Sequence, residues 1–502
     1  MPGQGGSFTG ALPSHNPSYT SPVTQAEARP IVHFREFPVR VRNLAVTASV
    51  AVLAAAGLTL PLAGVASAAT ALKDDFNGDG YRDLAVGSPH SNSVTVTFGS
   101  AGGVSEGRAV TVTQDTAGVP GVTEAEDEFG ENVSSGDVDH DGYADLIVGA
   151  PGERVGGKPS GSVTVVKGGK NGFTSGGHVL NAPADTGGRF GEATAWTDLD
   201  DDGSAQLAVV SGDNWWYYSG AGEDGRAHGL EVDFIPEGIR LEGMVAGNFK
   251  VEDGVGFVLY GERADGGAWT AHMNGGVGDY GYLAEVLGEG DDPTATRDAA
   301  TAGDVNGDGR ADLITGNSRN GRGGKGGSVT VRFGGEGKFG APVTYSQASA
   351  GVPGADEADD AFGSAVSAGD VTGDGLADLA VGVPGETVDT VGGAGSVVLL
   401  TSGGGAFTSG KAWHQETAGV PGVAEAGDHF GTSVRLKDIN KNGRADLSTG
   451  ATGEDIGATQ EVGAVWVLRG TANGLTSSSV ASFNGTDFGV GGVGAGFGHT
   501  VR

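Results

Sequence analysis

The chain has 502 residues, 97 of them glycine, no cysteine, and a formal net charge of -33 at pH 7. Lack of cysteine excludes disulfides, zinc-thiolate centres and thiol nucleophiles, and the excess of acid argues against a nucleic-acid partner, whose phosphates would be repelled rather than neutralised. Glycine at this frequency without a strict three-residue period fits turn-dense β-structure better than collagen.

In chain order, residues 1–39 are rich in proline and serine and read as a disordered extension or as sequence upstream of a mis-assigned start. On the second reading translation begins near Val39 or Val41, and peptides from upstream of residue 39 found in cells would refute it. Residues 40–68 read as a signal peptide: Arg40 and Arg42 lead into the apolar run Leu44 to Leu60, and Ala66-Ser67-Ala68 offers small residues for cleavage. A membrane anchor is the competing reading of that run. The mature chain is expected to begin at Ala69, without a membrane span, and to be secreted.

Beyond it one nine-residue pattern recurs five times: Asp-x-Asn/Asp/Thr-x-Asp/Asn-Gly-x-x-Asp, then Leu. Copies start at Asp75, Asp137, Asp304, Asp370 and Asp438. Carboxylates this close repel one another unless a counter-charge sits among them. Calcium suits the pattern, since it accepts six to eight oxygens in a flexible shell that side chains at positions 1, 3 and 5 and a carbonyl at 7 can begin to fill, while magnesium demands a small octahedron. The segments that follow, such as Leu84-Ala-Val-Gly87 and Leu146-Ile-Val-Gly149, read as short buried strands, so the loops join strands rather than helices. The last loop, charged only at Asp438 and Asp446, is expected to be the weakest. Two decayed copies complete the series. The loop at Asp198 has Gln206 in its closing position, and the one at Asn248 has Lys250 at position 3, where an ammonium would oppose a cation.

Counting the decayed copies, the loops recur at intervals of roughly sixty residues, and each unit carries about four β-like runs bounded by glycine. The expected fold is all-β: a seven-bladed β-propeller over 69–502 with about four antiparallel strands per blade. Its seam is visible. Phe497-Gly-His-Thr-Val-Arg502 matches Phe430-Gly-Thr-Ser-Val-Arg435 but has no loop after it, while the loop at Asp75 has no Phe-Gly strand before it. The C-terminal strand is therefore expected to close the ring by completing the first blade; a truncated eighth repeat is the alternative. The unit around 203–300 departs most from the pattern.

Phe362-Gly-Ser-Ala-Val-Ser-Ala-Gly-Asp370-Val-Thr-Gly-Asp374-Gly-Leu-Ala-Asp378-Leu-Ala-Val-Gly-Val-Pro384 resembles the FG-GAP repeat of integrin α propellers, as does Phe129 to Pro151. With inserts such as Thr417-Ala-Gly-Val-Pro-Gly422, the wider chain is similar to secreted integrin-like proteins of actinomycetes. The resemblance implies calcium held by Asp75, Asn77, Asp79, Tyr81 and Asp83; by Asp137, Asp139, Asp141, Tyr143 and Asp145; by Asp304, Asn306, Asp308, Arg310 and Asp312; by Asp370, Thr372, Asp374, Leu376 and Asp378; and by Asp438, Asn440, Asn442, Arg444 and Asp446. In each set the fourth residue contributes its carbonyl. No ligand-binding domain interrupts the blades, so integrin-style signalling is not implied.

External calcium fills even millimolar-class sites. At tenfold excess over Kd each site adds about 1.4 kcal/mol, so five would add roughly 7 kcal/mol if the ring unfolds as one unit. The one nucleophile-like motif, Gly103-Val-Ser105-Glu-Gly107, lies in a polar turn rather than at a strand-to-helix elbow. Trp215-Trp216-Tyr217-Tyr218 stands where other units have Val-Thr-Val, so alternation sends half of it between blades and leaves half as a sugar-stacking platform or as further packing. The chain therefore reads as a monomeric extracellular calcium-binding module for a protein or polysaccharide, the alternative being a hydrolase or lyase on the same ring.

Overall fold

The computed structural model describes residues 71–502 except 174–175, 184–187, 199–203, 220–228, 232–234, 250–255, 277–278, 320, 322–323 and 406. Sequence expectations for 1–39 and 40–68, for Lys250, and for most of the loop after Asp198 lie outside the described residues. Among those described, no helix is long and apolar enough to cross a membrane.

Seven four-stranded antiparallel sheets follow one another. The second blade sets the pattern: Asn132–Gly136, Asp145–Ala150, Ser162–Val166 and Gly177–Asn181 pair in that order. The third runs from Ala193–Thr197 to Gly229–Glu231, the fifth from Ala299–Gly303 to Val343–Tyr345, the sixth from Val366–Gly369 to Phe407–Trp413 and the seventh from Ser433–Lys437 to Gly474–Asn484. First strands of successive blades touch one another and form the inner wall. Where the sequence pattern is weakest, the fourth blade is complete: Ile239–Gly247, Gly256–Arg263, Ala268–Gly276 and Asp279–Gly290. Strand-forming residues and a bulge near Leu241 suffice there without the acidic motif.

The core lies between blades, because each sheet is apolar on both faces. Val94, Val96 and Val112 of the first blade pack with Val133, Leu146 and Val148 of the second. Phe129, Phe190, Phe362 and Phe430, the aromatic residues of the Phe-Gly pairs, are fully buried there, each worth about 1.5–3 kcal/mol of transfer free energy. The paired glycine is required by close approach. A Cβ on Gly191, which has φ +97°, would stand 2.6 Å from the carbonyl oxygen of Ser162, and one on Gly149, which faces it, would stand 2.0 Å from the Gly191 carbonyl oxygen.

Thr500–Val501 pairs antiparallel with Leu84–Ser88 and is the innermost strand of the first blade, so the C-terminal strand closes the ring as the sequence predicts. Arg502 and Ala85 exchange backbone hydrogen bonds of 2.8 and 2.9 Å. Leu84 and Val86 share a cluster with Val465, Phe497 and Val501. Beneath the seam Asp74 is buried, accepts a hydrogen bond from Ser135 and faces Lys437 at 3.7 Å and Arg502 at 3.8 Å. Burial opposes its charge, but Lys437, Arg502 and Arg435 outweigh that and hold its carboxyl well below the usual range.

His499 also crosses the seam, lying 3.3 Å from Glu131. The Glu131 hydrogen bond raises the imidazole pKa against burial. For Glu131 burial pushes upward, yet the His499 bond prevails and the carboxyl is lowered. The imidazole contribution to stability is thus complete below its ordinary value of about 6.5 and fades as pH rises through the raised one, while the carboxyl contribution fades as pH falls through its lowered value. Replacing His499→Gln should therefore depress the melting temperature more at about pH 6 than at about pH 8. A deficit that does not change with pH in thermal scans would contradict this pairing.

Candidate functional site

Four of the nine-residue loops join the first strand of a blade to its second, and the loop at Asp75 leads into the second strand of the first blade, so all five emerge at one end of the ring. Their shape comes from short-range hydrogen bonds to the acidic side chains. The position-1 carboxylate accepts the N–H groups of positions 5 and 6: Asp75 from Asp79 and Gly80 at 3.1 and 2.8 Å, Asp137 from Asp141 and Gly142 at 3.0 and 3.1 Å. Asp304, Asp370 and Asp438 repeat this. Position 5 in turn accepts the N–H of position 7, from Tyr81, Tyr143, Arg310, Leu376 and Arg444. The chain can curl this tightly because positions 4 and 6 are left-handed, as at Gly78 (φ +68°) and Gly80 (φ +85°), and His140 and Lys441 accept φ +58° and +59° at position 4.

The closing carboxylates do a second job that the sequence pattern does not show. Asp83 accepts the N–H of Phe76 through one oxygen and that of Gly99 through the other, both at 2.8 Å. Asp145 binds Val138 and Gly168, Asp312 binds Val305 and Gly334, Asp378 binds Val371 and Ser402, and Asp446 binds Ile439 and Gly470. Each thus ties its loop to the end of the third strand. The residue after the first Asp is an apolar anchor in every copy: Phe76, Val138, Val305, Val371 and Ile439 are buried. Sequence reading passed over this position, although its unbroken apolar character was the available signal.

Burial pushes the closing carboxyls up, to about 7 for Asp83 and Asp145 and to about 6 for Asp312, Asp378 and Asp446, against the lowering effect of the N–H bonds. Burial likewise raises Asp75 and Asp137. A cation among the oxygens would reverse that penalty. The donor set fits one. Ligand oxygens of Asp137, Asp139 and Asp145 lie within 4.8 Å of one another, and the buried Thr372 hydroxyl at position 3 of its loop has no hydrogen-bond partner. Carboxylates that already accept one N–H per oxygen keep a lone pair on each. Basic side chains supply counter-charge to three loops, Arg108 on Asp79 at 2.8 Å, Lys167 on Asp139 at 2.9 Å and Arg310 on Asp308 at 3.4 Å. In the last loop the Asn440 amide donates to both oxygens of Asp446, at 3.1 and 3.0 Å, which lowers the acceptor capacity left for a metal.

A family model described as FG-GAP repeat matches residues 68–106, 129–166, 297–331, 362–400 and 430–468. The chain is an FG-GAP β-propeller. Those five segments are the ones that carry the complete loops, and the third and fourth blades of the FG-GAP ring lie outside them. Among solved structures, one titled for specific recognition of non-reducing terminal N-acetylglucosamine by a lectin of Agrocybe aegerita is 15% identical, covering 85% of this chain and 95% of that one with a TM-score of 0.49. AofleA of Arthrobotrys oligospora is 11% identical, covering 68% and 82%, with a TM-score of 0.34.

The aromatic run occupies the third strand of the third blade, as predicted, within Asn214–Ser219. Its side chains are packing residues. Trp215 is buried edge-on against Phe257 of the fourth blade, with centroids 4.7 Å apart, while Trp216 and Tyr218 are buried with Val163 and Phe190 on the other side. Tyr217, half-buried, lies against the Trp215 cluster. Three of the four thus present no stacking surface. Trp269 is buried in the Trp215 cluster too, and Trp196 packs against the Trp216 cluster. At the decayed third loop Gln206 is buried in the closing position and donates to the Ser204 carbonyl at 2.7 Å. Ser105 is exposed ahead of a single 3-10 turn, Glu106–Arg108, between the third and fourth strands of the first blade, so the nucleophile-like motif is a hairpin connection.

Proposed function

We propose that this protein is a secreted propeller stabilised by calcium in its nine-residue loops, and that it serves as an extracellular binding and adhesion module for a protein or polysaccharide. The loops are suited to a compartment where calcium is abundant. In a propeller of antiparallel blades the connections from second to third strand and from fourth strand to the next first strand emerge together, opposite the acidic loops. One observation carries the binding role: among the described residues the three most exposed large aliphatic side chains, Val122, Val423 and Val493, at 65, 67 and 77% exposure, all sit in fourth-to-first connections at that end. A contiguous apolar patch rimmed by polar residues is the mark of a partner surface, and these three side chains are the ones at this end that would contribute to one.

The test is retention of the purified full chain on cell-wall and polysaccharide fractions, with calcium and with chelator, while substrate breakdown is followed in the same tubes. Calcium-dependent retention that falls severalfold in a Val122→Ser, Val423→Ser, Val493→Ser variant supports the reading. Breakdown of the fraction would replace it with a hydrolase or lyase. Failure of the folded chain to bind any fraction would remove the polysaccharide half of the proposal. Secretion is checked by the N-terminus of the chain recovered from culture medium, expected at Ala69.

A further inference from the structure

At the end opposite the nine-residue loops, three blade junctions repeat a second polar assembly. Between the first and second blades Gln114 follows the outer strand Ala109–Val112, Glu124 and Asp127 lie in the connecting loop, and Glu153 follows the second strand Asp145–Ala150 of the next blade. One ligand oxygen from each of Glu124, Asp127 and Glu153 lies within 4.8 Å of the others. Asp127 is 1% and Gln114 2% exposed. The Glu124 N–H donates to Asp127 Oδ2 at 2.6 Å, leaving Oδ1, and the Gln114 amide donates to Glu153 Oε2 at 2.6 Å.

The same bonds recur twice, although among the described residues only the first junction brings its three carboxylate oxygens within 4.8 Å of one another. Gln347 donates to Glu386 at 2.5 Å and Glu357 to Asp360 at 2.9 Å between the fifth and sixth blades. Gln415 donates to Glu454 and Glu425 to Asp428, both at 2.6 Å, between the sixth and seventh. In all three the glutamine Oε1 is buried and has no hydrogen-bond partner. It sits on the same amide as the nitrogen that donates to the acid, so a half-turn of that amide would direct the oxygen at the carboxylates. Glycine presses on the amide from outside: a Cβ on Gly121, Gly354 or Gly422 would come within 3.0, 2.2 or 3.1 Å of the glutamine Nε2. Among the described residues no lysine or arginine pairs with these carboxylates. At the middle junction a cavity of about 170 Å³ opens beside Glu386, lined also by Pro353, Gly354, Asp389 and His414.

We propose that these junctions are a second class of divalent-cation site, taking calcium on the oxygens of Gln114, Glu124, Asp127 and Glu153, of Gln347, Glu357, Asp360 and Glu386, and of Gln415, Glu425, Asp428 and Glu454. Three carboxylates and an amide oxygen are a hard, oxygen-only donor set, and the exposed edge at Glu124 admits waters to bring the shell to calcium's six to eight. Metal there satisfies the buried amide oxygen, cancels the repulsion among the acids and clamps the outer strand of one blade to a hairpin of the next. Burial raises the carboxyls of Glu386 and Glu454 to about 7, in keeping with acids that need such a counter-charge. The clamp stands beside Val122 and Val423, and so orders the face on which partner binding is proposed.

The experiment is calcium stoichiometry of the full chain by equilibrium dialysis against the metal alone, at physiological salt to screen diffuse adsorption. A variant carrying Glu153→Gln, Glu386→Gln and Glu454→Gln should bind about three equivalents fewer than the natural sequence and keep those of the nine-residue loops. A stoichiometry equal to the natural one overturns the proposal. Asp137→Asn, Asp304→Asn and Asp370→Asn in a separate chain report the nine-residue loops alone, so failure of either class is seen independently. Should the first variant not fold, Gln114→Glu, Gln347→Glu and Gln415→Glu decide the matter: a fourth carboxylate should tighten calcium at these sites about tenfold if they hold metal. An unaltered isotherm, with a lowered melting temperature, would mean that the acids share protons instead, and would overturn the proposal.

Discussion

Withdrawing calcium with a chelator is expected to lower the melting temperature of the propeller by roughly 8 °C, as about 7 kcal/mol of ligand linkage is lost from a unit whose unfolding entropy is about 0.9 kcal/mol/K. Single substitutions divide that effect by role. In calcium, both Asp139→Ala and Asp145→Ala should destabilise the chain. With chelator present, the cost of Asp139→Ala should nearly vanish. Asp145→Ala should still cost on the order of 2 kcal/mol, because the N–H groups of Val138 and Gly168 lose their buried acceptor. Differential scanning calorimetry on the two variants with and without chelator reads all four values. Equal costs for the two in chelator would mean that the closing carboxylate is a metal ligand and nothing more.

Deleting Phe497–Arg502 should do damage of a similar order. It removes the buried side chains of Phe497 and Val501, strips Arg502 from buried Asp74, and leaves Leu84–Ser88 as an open edge. Loss of that apolar burial and of the ion pair together costs on the order of 5 kcal/mol, a large share of what holds a typical domain folded. The exposed strand should also pair with other chains. The expected readout is a lowered melting temperature with concentration-dependent association in light scattering. Adding the six-residue peptide back should partly restore the monomer. A deletion that melts with the full chain and stays monomeric would show that the C-terminal strand is an ornament on a ring closed by other contacts.

The fold was legible because its signals are local and repeated. Residues within one nine-residue loop hydrogen-bond one another across two to seven positions, so the pattern at Asp75 is nearly the whole of its structure. The match of Phe497–Arg502 to Phe430–Arg435 likewise carries the seam, since each blade builds its inner strand in the same way. The fourth blade was hard to read for the converse reason. Lacking the acidic motif, it is held by strand pairing and by Trp269 and Phe257 in an inter-blade core, and such packing leaves no short signature.

The role of Trp215 to Tyr218 could not be settled by alternation along the strand, because in a propeller both faces of a sheet meet a neighbouring blade. Alternation names two faces; only the ring shows that neither is open.

What the sequence by itself determined, then, is the repeat, the ring, its seam and the five acidic loops, all written in residues close together along the chain. Only the tertiary structure decided that Asp83 fastens Gly99, sixteen residues away, and that Gln114 reaches Glu153, thirty-nine away and in the next blade. The reason is physical: a hydrogen bond within a loop is fixed by the spacing of its residues, whereas a bond between blades depends on how separately folded sheets pack, which no single segment encodes.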